Sequence, residues 1–224
     1  MKRTGIVILA ALALTLAACR HHTASRVIRP AIDPELTKLS KEQIFDRGED
    51  QFAKKRYPRA RTYYSYIYEN FPNDPLGRRA LLRVADTYYS QGDPVNLVEA
   101  QYKYRDFINR YPGSDRADYA MLQIAMVAYK QMEKPDRDQQ KTREAVEKFN
   151  DMLRTFPNSP LRPDAEKRLQ DALDRLAKHE HIVARFYMKR GSYFAALQRL
   201  NHIVDTYPNY RERDAVFYDL GASL

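Results

Sequence analysis

A single cysteine and a handful of histidines are the side chains whose placement could do chemistry. Cys19 is the only cysteine among 224 residues. One thiol excludes an intrachain disulfide framework and any multi-cysteine zinc or iron–sulfur site. What remains is a nucleophile in the setting Leu16-Ala17-Ala18-Cys19. Small residues before it let a peptidase bind extended backbone close to the bond it cuts, and the thiol can accept a lipid. His179-Glu180-His181 is not an HExxH pair, because residues i and i+2 point roughly 200° apart on a helix and cannot share one metal. His202 is isolated, and His21-His22 reads as polar chain. No GxSxG, GxxxxGK[ST] or GxGxxG occurs. The acids read as helix caps or as partners of Lys and Arg on solvated faces. The expectation is a non-enzymatic chain with no metal or cofactor beyond a covalent lipid on Cys19.

The residues before Cys19 give the thiol its meaning. Lys2 and Arg3 precede an apolar or small stretch from Ile6 to Ala18, 13 residues long. A bilayer-spanning helix needs roughly 20, so the stretch has the proportions of a secretory signal. Leu-Ala-Ala-Cys resembles the lipobox of bacterial lipoproteins, which implies cleavage after residue 18 and a diacylglyceryl group on Cys19. That resemblance implies three acyl chains, and two or more anchor a protein stably. Arg20 stands where an Asp often holds lipoproteins in the inner membrane, so the expected place is the outer membrane, lipid-anchored, facing the periplasm. Removing residues 1–18 takes Lys2 and Arg3 and no acid, so the formal charge of +9 becomes +7. Nucleic acid is not an expected partner there. Residues 19–34 read as a lipidated tether. The 14 residues Arg20 to Asp33 reach at most about 46 Å. Its Arg20, Arg26 and Arg29 either touch anionic headgroups, at about 1 kcal/mol each, or are simply solvated.

The remaining body, residues 35–224, must position whatever else the chain does. Seven glycines are too few for Rossmann, P-loop, sandwich or barrel turns. Four signals punctuate it: Phe71-Pro72, Tyr111-Pro112, Phe156-Pro157 and Tyr207-Pro208. Eight and twelve residues before each proline stand Tyr64 and Ala60, Tyr104 and Ala100, Phe149 and Ala145, Leu200 and Ala196. Three residues after each large side chain comes another: Ile67, Phe107, Met152 and Ile203. This is one helix face repeated: a small residue admits a neighbouring helix, the large ones fill the space beside it, and proline ends the helix. Helices over Leu76–Gln91 and Arg116–Glu133 precede two of these. Asp33-Pro34, Asp74-Pro75, Asp93-Pro94, Ser114 and Pro163-Asp164 read as starts. Met132 to Glu144 reads as a polar insertion, Asp164–Lys189 as one helix of about 39 Å, and Arg211 to Leu220 as a last helix.

Gly48, Ala60, Tyr64 and Pro72 resemble the small, small, aromatic and proline positions of tetratricopeptide repeats. The expected fold is all-α, a superhelical array of about four helix pairs plus a C-terminal helix. Lys178 to Tyr187 (KHEHIVARFY), Arg190 to Leu197 (RGSYFAAL) and the segments YYSYIYENFPNDP and YRDFINRYPGSD resemble the BamD family, lipidated repeat proteins of the β-barrel assembly machinery. The resemblance implies a scaffold on the POTRA domains of the barrel-forming outer-membrane protein. Its implied partners include other assembly lipoproteins and segments of unfolded outer-membrane proteins. The alternative is another lipidated repeat adaptor, a pilotin or a coordinator of peptidoglycan enzymes.

Two surfaces follow as candidates. Phe45 and Phe52 on the first helix, with Tyr88 and Tyr89 on the third, either face a groove that receives an extended peptide or pack as core. Arg185, Tyr187, Arg190, Tyr193 and Arg199 surround the Arg190-Gly191 turn. They read either as a protein interface or as a solvated helix face.

Overall fold

A computed structural model describes residues 36–224. Cys19, the signal segment, the tether and the Asp33-Pro34 start lie outside the described residues. The chain divides into two units, residues 1–38 and 39–224. Of the first, a single 3-10 turn, Leu36–Lys38, is described.

The second unit is helical throughout its regular structure. Its elements are α1 (Lys41–Ala53), α2 (Tyr57–Asn70), α3 (Pro75–Gln91), α4 (Pro94–Arg110), α5 (Ala117–Lys130), α6 (Gln140–Thr155), α7 (Arg162–Lys189), α8 (Tyr193–Thr206) and α9 (Arg213–Ala222). Each helix packs on the next in sequence. Short connections make consecutive neighbours antiparallel, so α1/α2, α3/α4, α5/α6 and α7/α8 form four tetratricopeptide-like pairs, and α9 follows.

Local chemistry sets the starts. Ser40 closes a capping box on α1: its hydroxyl accepts the Gln43 N–H at 3.2 Å, and its own N–H donates to Gln43 Oε1 at 3.0 Å. Asp74 accepts the Leu76 N–H at 2.8 Å, and Asp93 the Asn96 N–H at 3.1 Å. Proline follows each aspartate, where a missing N–H costs nothing. Caps of this kind contribute about 1 kcal/mol each.

The ends repeat one geometry. Phe71, Tyr111, Phe156 and Tyr207 each sit just past their helix with φ between −132° and −122°. Each N–H still donates to the carbonyl four residues back, on Ile67, Phe107, Met152 and Ile203. The following proline holds its predecessor out of the α region.

The repeated face is the core. Ala60, Ala100, Ala145 and Ala196 have no exposed surface, and Tyr64, Tyr104, Phe149 and Leu200 have none either. Full burial of side chains that large stabilises by about 1.5–3 kcal/mol apiece. The first helices contribute small residues in return. A Cβ on Gly48 would stand 2.6 Å from Tyr64 Cε1, so glycine there lets α1 lie directly on the α2 ring.

Several boundaries differ from expectation: the helix expected over Arg116–Glu133 ends at Lys130, and the long helix opens at Arg162 rather than Asp164. Residues 140–144 belong to α6, not to the insertion, because Thr142 is buried and its hydroxyl donates to Gln139 Oε1 at 2.8 Å. The connection 131–139 is tied down: Gln139 Nε2 donates to the Lys134 and Arg137 carbonyls, Arg175 to that of Glu133, and His179 Nδ1 to that of Pro135 at 2.7 Å. The last helix starts two residues late, because Tyr210 is buried and its carbonyl accepts the Arg213 N–H in a preceding turn.

Gly77 supplies a test. A Cβ there would overlap the Phe71 carbonyl oxygen, a backbone atom, whereas one on Gly113 meets nothing within 4 Å. Gly77→Ala is expected to lower stability by about 1–3 kcal/mol, the usual cost of overpacking. Gly113→Ala leaves it unchanged. Thermal melts of the two variants make the comparison.

Candidate functional site

The four groove candidates do not share one opening. Phe45 is 3% exposed, its ring 5.3 Å from Tyr64 and covered by the Arg79 guanidinium at 4.6 Å. It is a core residue, which corrects the groove reading for this position: its side chain points at α2 and has no face left for a ligand. Phe52, one full heptad later on the same side of α1, is half-buried. Tyr57 meets its edge at 5.3 Å and Arg83 lies 4.1 Å above its ring. Tyr88 is half-buried beneath Arg61, whose guanidinium sits 3.4 Å from the ring centroid. Tyr89 turns toward α5, with Lys130 Nζ 4.7 Å from its ring and bonded to its carbonyl. Each half-buried ring thus carries a cation on its outer side.

Beneath them runs a polar network that sequence reasoning missed. Glu49 on α1 accepts two bonds from Arg83 on α3, both 2.7 Å, and a third from Tyr64 on α2 at 2.8 Å. Arg83 Nη1 also donates to Asp86 Oδ2 at 3.2 Å. The other Asp86 oxygen accepts Tyr104 of α4 at 2.6 Å and Tyr119 of α5 at 2.8 Å. Five helices are joined through two carboxylates and one guanidinium. Burial alone would disfavour the Arg83 charge; the Glu49 bonds, with Tyr64 and Asp86 alongside, raise its pKa instead. Burial pushes the Asp86 carboxyl above its ordinary value, against the pull of Tyr104, Tyr119 and Arg83. Both carboxylates are engaged by fixed donors, so the arrangement cross-links helices.

The C-terminal candidates lie around the α7–α8 turn. Gly191 takes φ +71°, its N–H bonded to the Met188 carbonyl at 3.0 Å. Arg190 stacks on Phe186 at 4.7 Å, and Phe186 meets the edge of half-buried Tyr187 at 5.8 Å. Tyr193 is 50% exposed. Arg185 approaches Asp219 at 3.4 Å, and Arg199 pairs with Glu180 at 2.7 Å. The structure adds Phe186 and Phe194, 50% and 76% exposed. Both were legible in FYMKRGSYF, where aromatics flank a basic glycine turn on both sides. Arg190, Tyr193, Phe186 and Phe194 thus present open aromatic and cationic surface, while Arg185 and Arg199 are partly committed to acids.

His181 is committed to a helix contact. It is 2% exposed, and its Nε2 lies 2.8 Å from Asp219 Oδ2, which fastens α9 to α7. His179 on the other side of α7 holds Pro135. Among the described residues no group of three or more His, Cys, Asp or Glu is placed to hold a metal ion, and no helix is long and apolar enough to cross a membrane.

The Asp86 network makes a prediction with a sign. Between the ordinary 3.8 and its raised native value, Asp86 binds more protons folded than unfolded. Its contribution to stability therefore grows as pH falls through that window. Arg83→Met removes the cation facing both carboxylates. It is expected to cost about 2–4 kcal/mol at neutral pH, somewhat under the usual cost of breaking a fully buried pair because Arg83 and Glu49 are partly exposed, and less at acidic pH, as Asp86 takes up a proton. Denaturant melts at neutral and acidic pH read the difference.

Comparison with known proteins supplies the last observations. An outer membrane protein assembly factor BamD of Neisseria meningitidis serogroup A is 30% identical over 217 residues, covering 92% of this chain and 78% of that protein. The protein of the same name from Neisseria gonorrhoeae is 29% identical over 218 residues with the same coverages. A solved tetratricopeptide-repeat protein of Thermus thermophilus superposes with a TM-score of 0.42 at 18% identity, over 82% of this chain and 98% of that one. The model of the family YfiO, described as outer membrane lipoprotein, matches residues 37–222. The chain belongs to the YfiO family of outer membrane lipoproteins.

Proposed function

We propose that this chain is a non-catalytic assembly factor for outer-membrane β-barrel proteins, held by lipid on Cys19 at the periplasmic face of the outer membrane. Two relatives that cover 92% of the chain carry that assembly name. The observation that carries the working surface is the open cluster of Phe186, Arg190, Tyr193 and Phe194 at the α7–α8 turn. Exposed aromatics beside arginine suit a protein interface, where Arg and Tyr anchor and water is excluded around them. In this reading the turn docks on the POTRA domains of the barrel-forming subunit. Arg185 and Arg199, already bonded to acids, shape its rim.

Segments of unfolded barrel proteins meet the opposite end of the array. Phe52, Tyr88 and Tyr89 stand under Arg83, Arg61 and Lys130. An extended peptide with aromatic residues would lie against the half-exposed rings, its terminal carboxylate meeting Arg61 or Lys130, since Arg83 is held by Glu49 and Asp86. Other assembly lipoproteins complete the expected partner set. The Glu49–Arg83–Asp86 links keep this end rigid, which limits the ordering cost of binding.

Affinity purification from detergent-solubilised membranes tests the reading. The native chain should retrieve a POTRA-containing outer-membrane protein. Arg190→Glu with Phe194→Glu should lose it at an unchanged melting temperature, since both side chains are exposed. Purification without any POTRA protein contradicts the proposal. Cys19→Ala should release the protein from membranes; persistent attachment without lipid labelling contradicts the anchor.

A further inference from the structure

The turn between α1 and α2 is strongly basic. Lys54-Lys55-Arg56-Tyr57-Pro58-Arg59 places four cations and no acid in six residues, and all four are exposed. Lys54 pairs with Asp50 at 2.8 Å. Lys55, Arg56 and Arg59 have no ion pair among the described residues. Arg110, Arg154 and Arg211, at other helix ends, each pair with a carboxylate, whereas this turn gathers three cations without one in five residues.

The backbone holds these side chains outward. The Lys55 N–H donates to the Phe52 carbonyl and the Arg56 N–H to that of Gln51, both at 2.9 Å. This is a Schellman closure of α1, whose left-handed position normally takes glycine. Lys55 occupies it with φ +57°, the one non-glycine residue with positive φ among the described residues. A charged side chain kept where glycine would be less strained marks a position whose side chain has a use. Beside it, Tyr57 is half-buried against Phe52, an amphipathic ring at the foot of the cations.

We propose that Lys54, Lys55, Arg56 and Arg59 form a contact surface for the phosphate headgroups of an anionic phospholipid bilayer. Charge complementarity selects the occupant: four exposed cations on one turn, with Asp50 the acid beside them, match a diffuse sheet of phosphates. An acidic protein segment is the less suited partner, because the hollow that Arg56, Pro58 and Arg59 line is wide open to solvent and has no walls to enclose a chain. The surface rests on the reading of Cys19 only in that the anchor would bring the chain to a bilayer. One anchor plus a polybasic patch is a recognised route to firm attachment. Bound in this way, the turn would fix how the first repeat faces the membrane.

Vesicle co-sedimentation of the full chain carrying Cys19→Ser removes the anchor from the measurement, so failure here leaves the lipid reading standing. Phosphatidylcholine vesicles with and without phosphatidylglycerol are compared, and each variant is read against the parent chain, because Lys2, Arg3, Arg20, Arg26 and Arg29 contribute alike to all of them. The chain should prefer the anionic vesicles, and the preference should fall in high salt. Lys55→Gly, which suits the turn better, should reduce the preference about fivefold while keeping or raising the melting temperature. Lys55→Gln, Arg56→Gln and Arg59→Gln together should reduce it about a hundredfold, and Lys55→Arg should retain it. Three results overturn the proposal: no anionic preference in the parent chain, an unchanged preference in the triple variant, or binding to a glutamate-rich peptide without binding to vesicles.

Discussion

Ala60, Ala100, Ala145 and Ala196 have no exposed surface, and the distance between helix layers is set at those four points. A larger side chain there would hold neighbouring helices apart. The ring or branched chain four residues later would then lose its contacts on every side, since interiors are packed as tightly as organic crystals. Gly48 meets the same constraint from the facing side, where the Tyr64 ring leaves no room for a Cβ. Because each unit touches chiefly the next, the array behaves as a chain of nearest-neighbour interfaces. Separate hydrophobic clusters among the described residues reflect that, around Tyr104 and Phe107, around Phe149 and Met152, and around Leu200 and Ile203.

Polar links stiffen the two ends differently. At the first, Glu49, Arg83 and Asp86 draw α1 to α5 together through five side-chain bonds and one ionic contact of 3.2 Å. At the second, α7 runs 28 residues and carries both the third and fourth units, and His181 with Asp219 attaches α9 to it. The surfaces proposed for peptide and for POTRA domains stand on these fixed frames. A binding side chain whose support does not move loses less freedom on contact.

The repeated face and its proline stops were legible because each was written four times in one spacing. The caps at Asp74 and Asp93 were legible because acid-proline pairs have one local geometry. The networks were not. Glu49 and Arg83 lie 34 residues apart, Tyr119 and Asp86 33, His181 and Asp219 38, and a charged residue gives no local sign of its distant partner. Phe45 misled for a related reason: it shares a helix face with Phe52, and period alone does not say which end of that face a neighbouring helix covers. Exposed Phe186 and Phe194 were within reach, since they flank the same basic turn as the residues singled out.

The central claim is that packing at the buried alanines holds each unit to its neighbours alone. Hydrogen exchange on Ala100→Leu tests it most directly. The account predicts that amide protection falls in α3, α4 and α5, which meet at that point, while α8 and α9 keep the protection of the parent chain. Uniform loss along the whole array, or unchanged protection in α4, would contradict it.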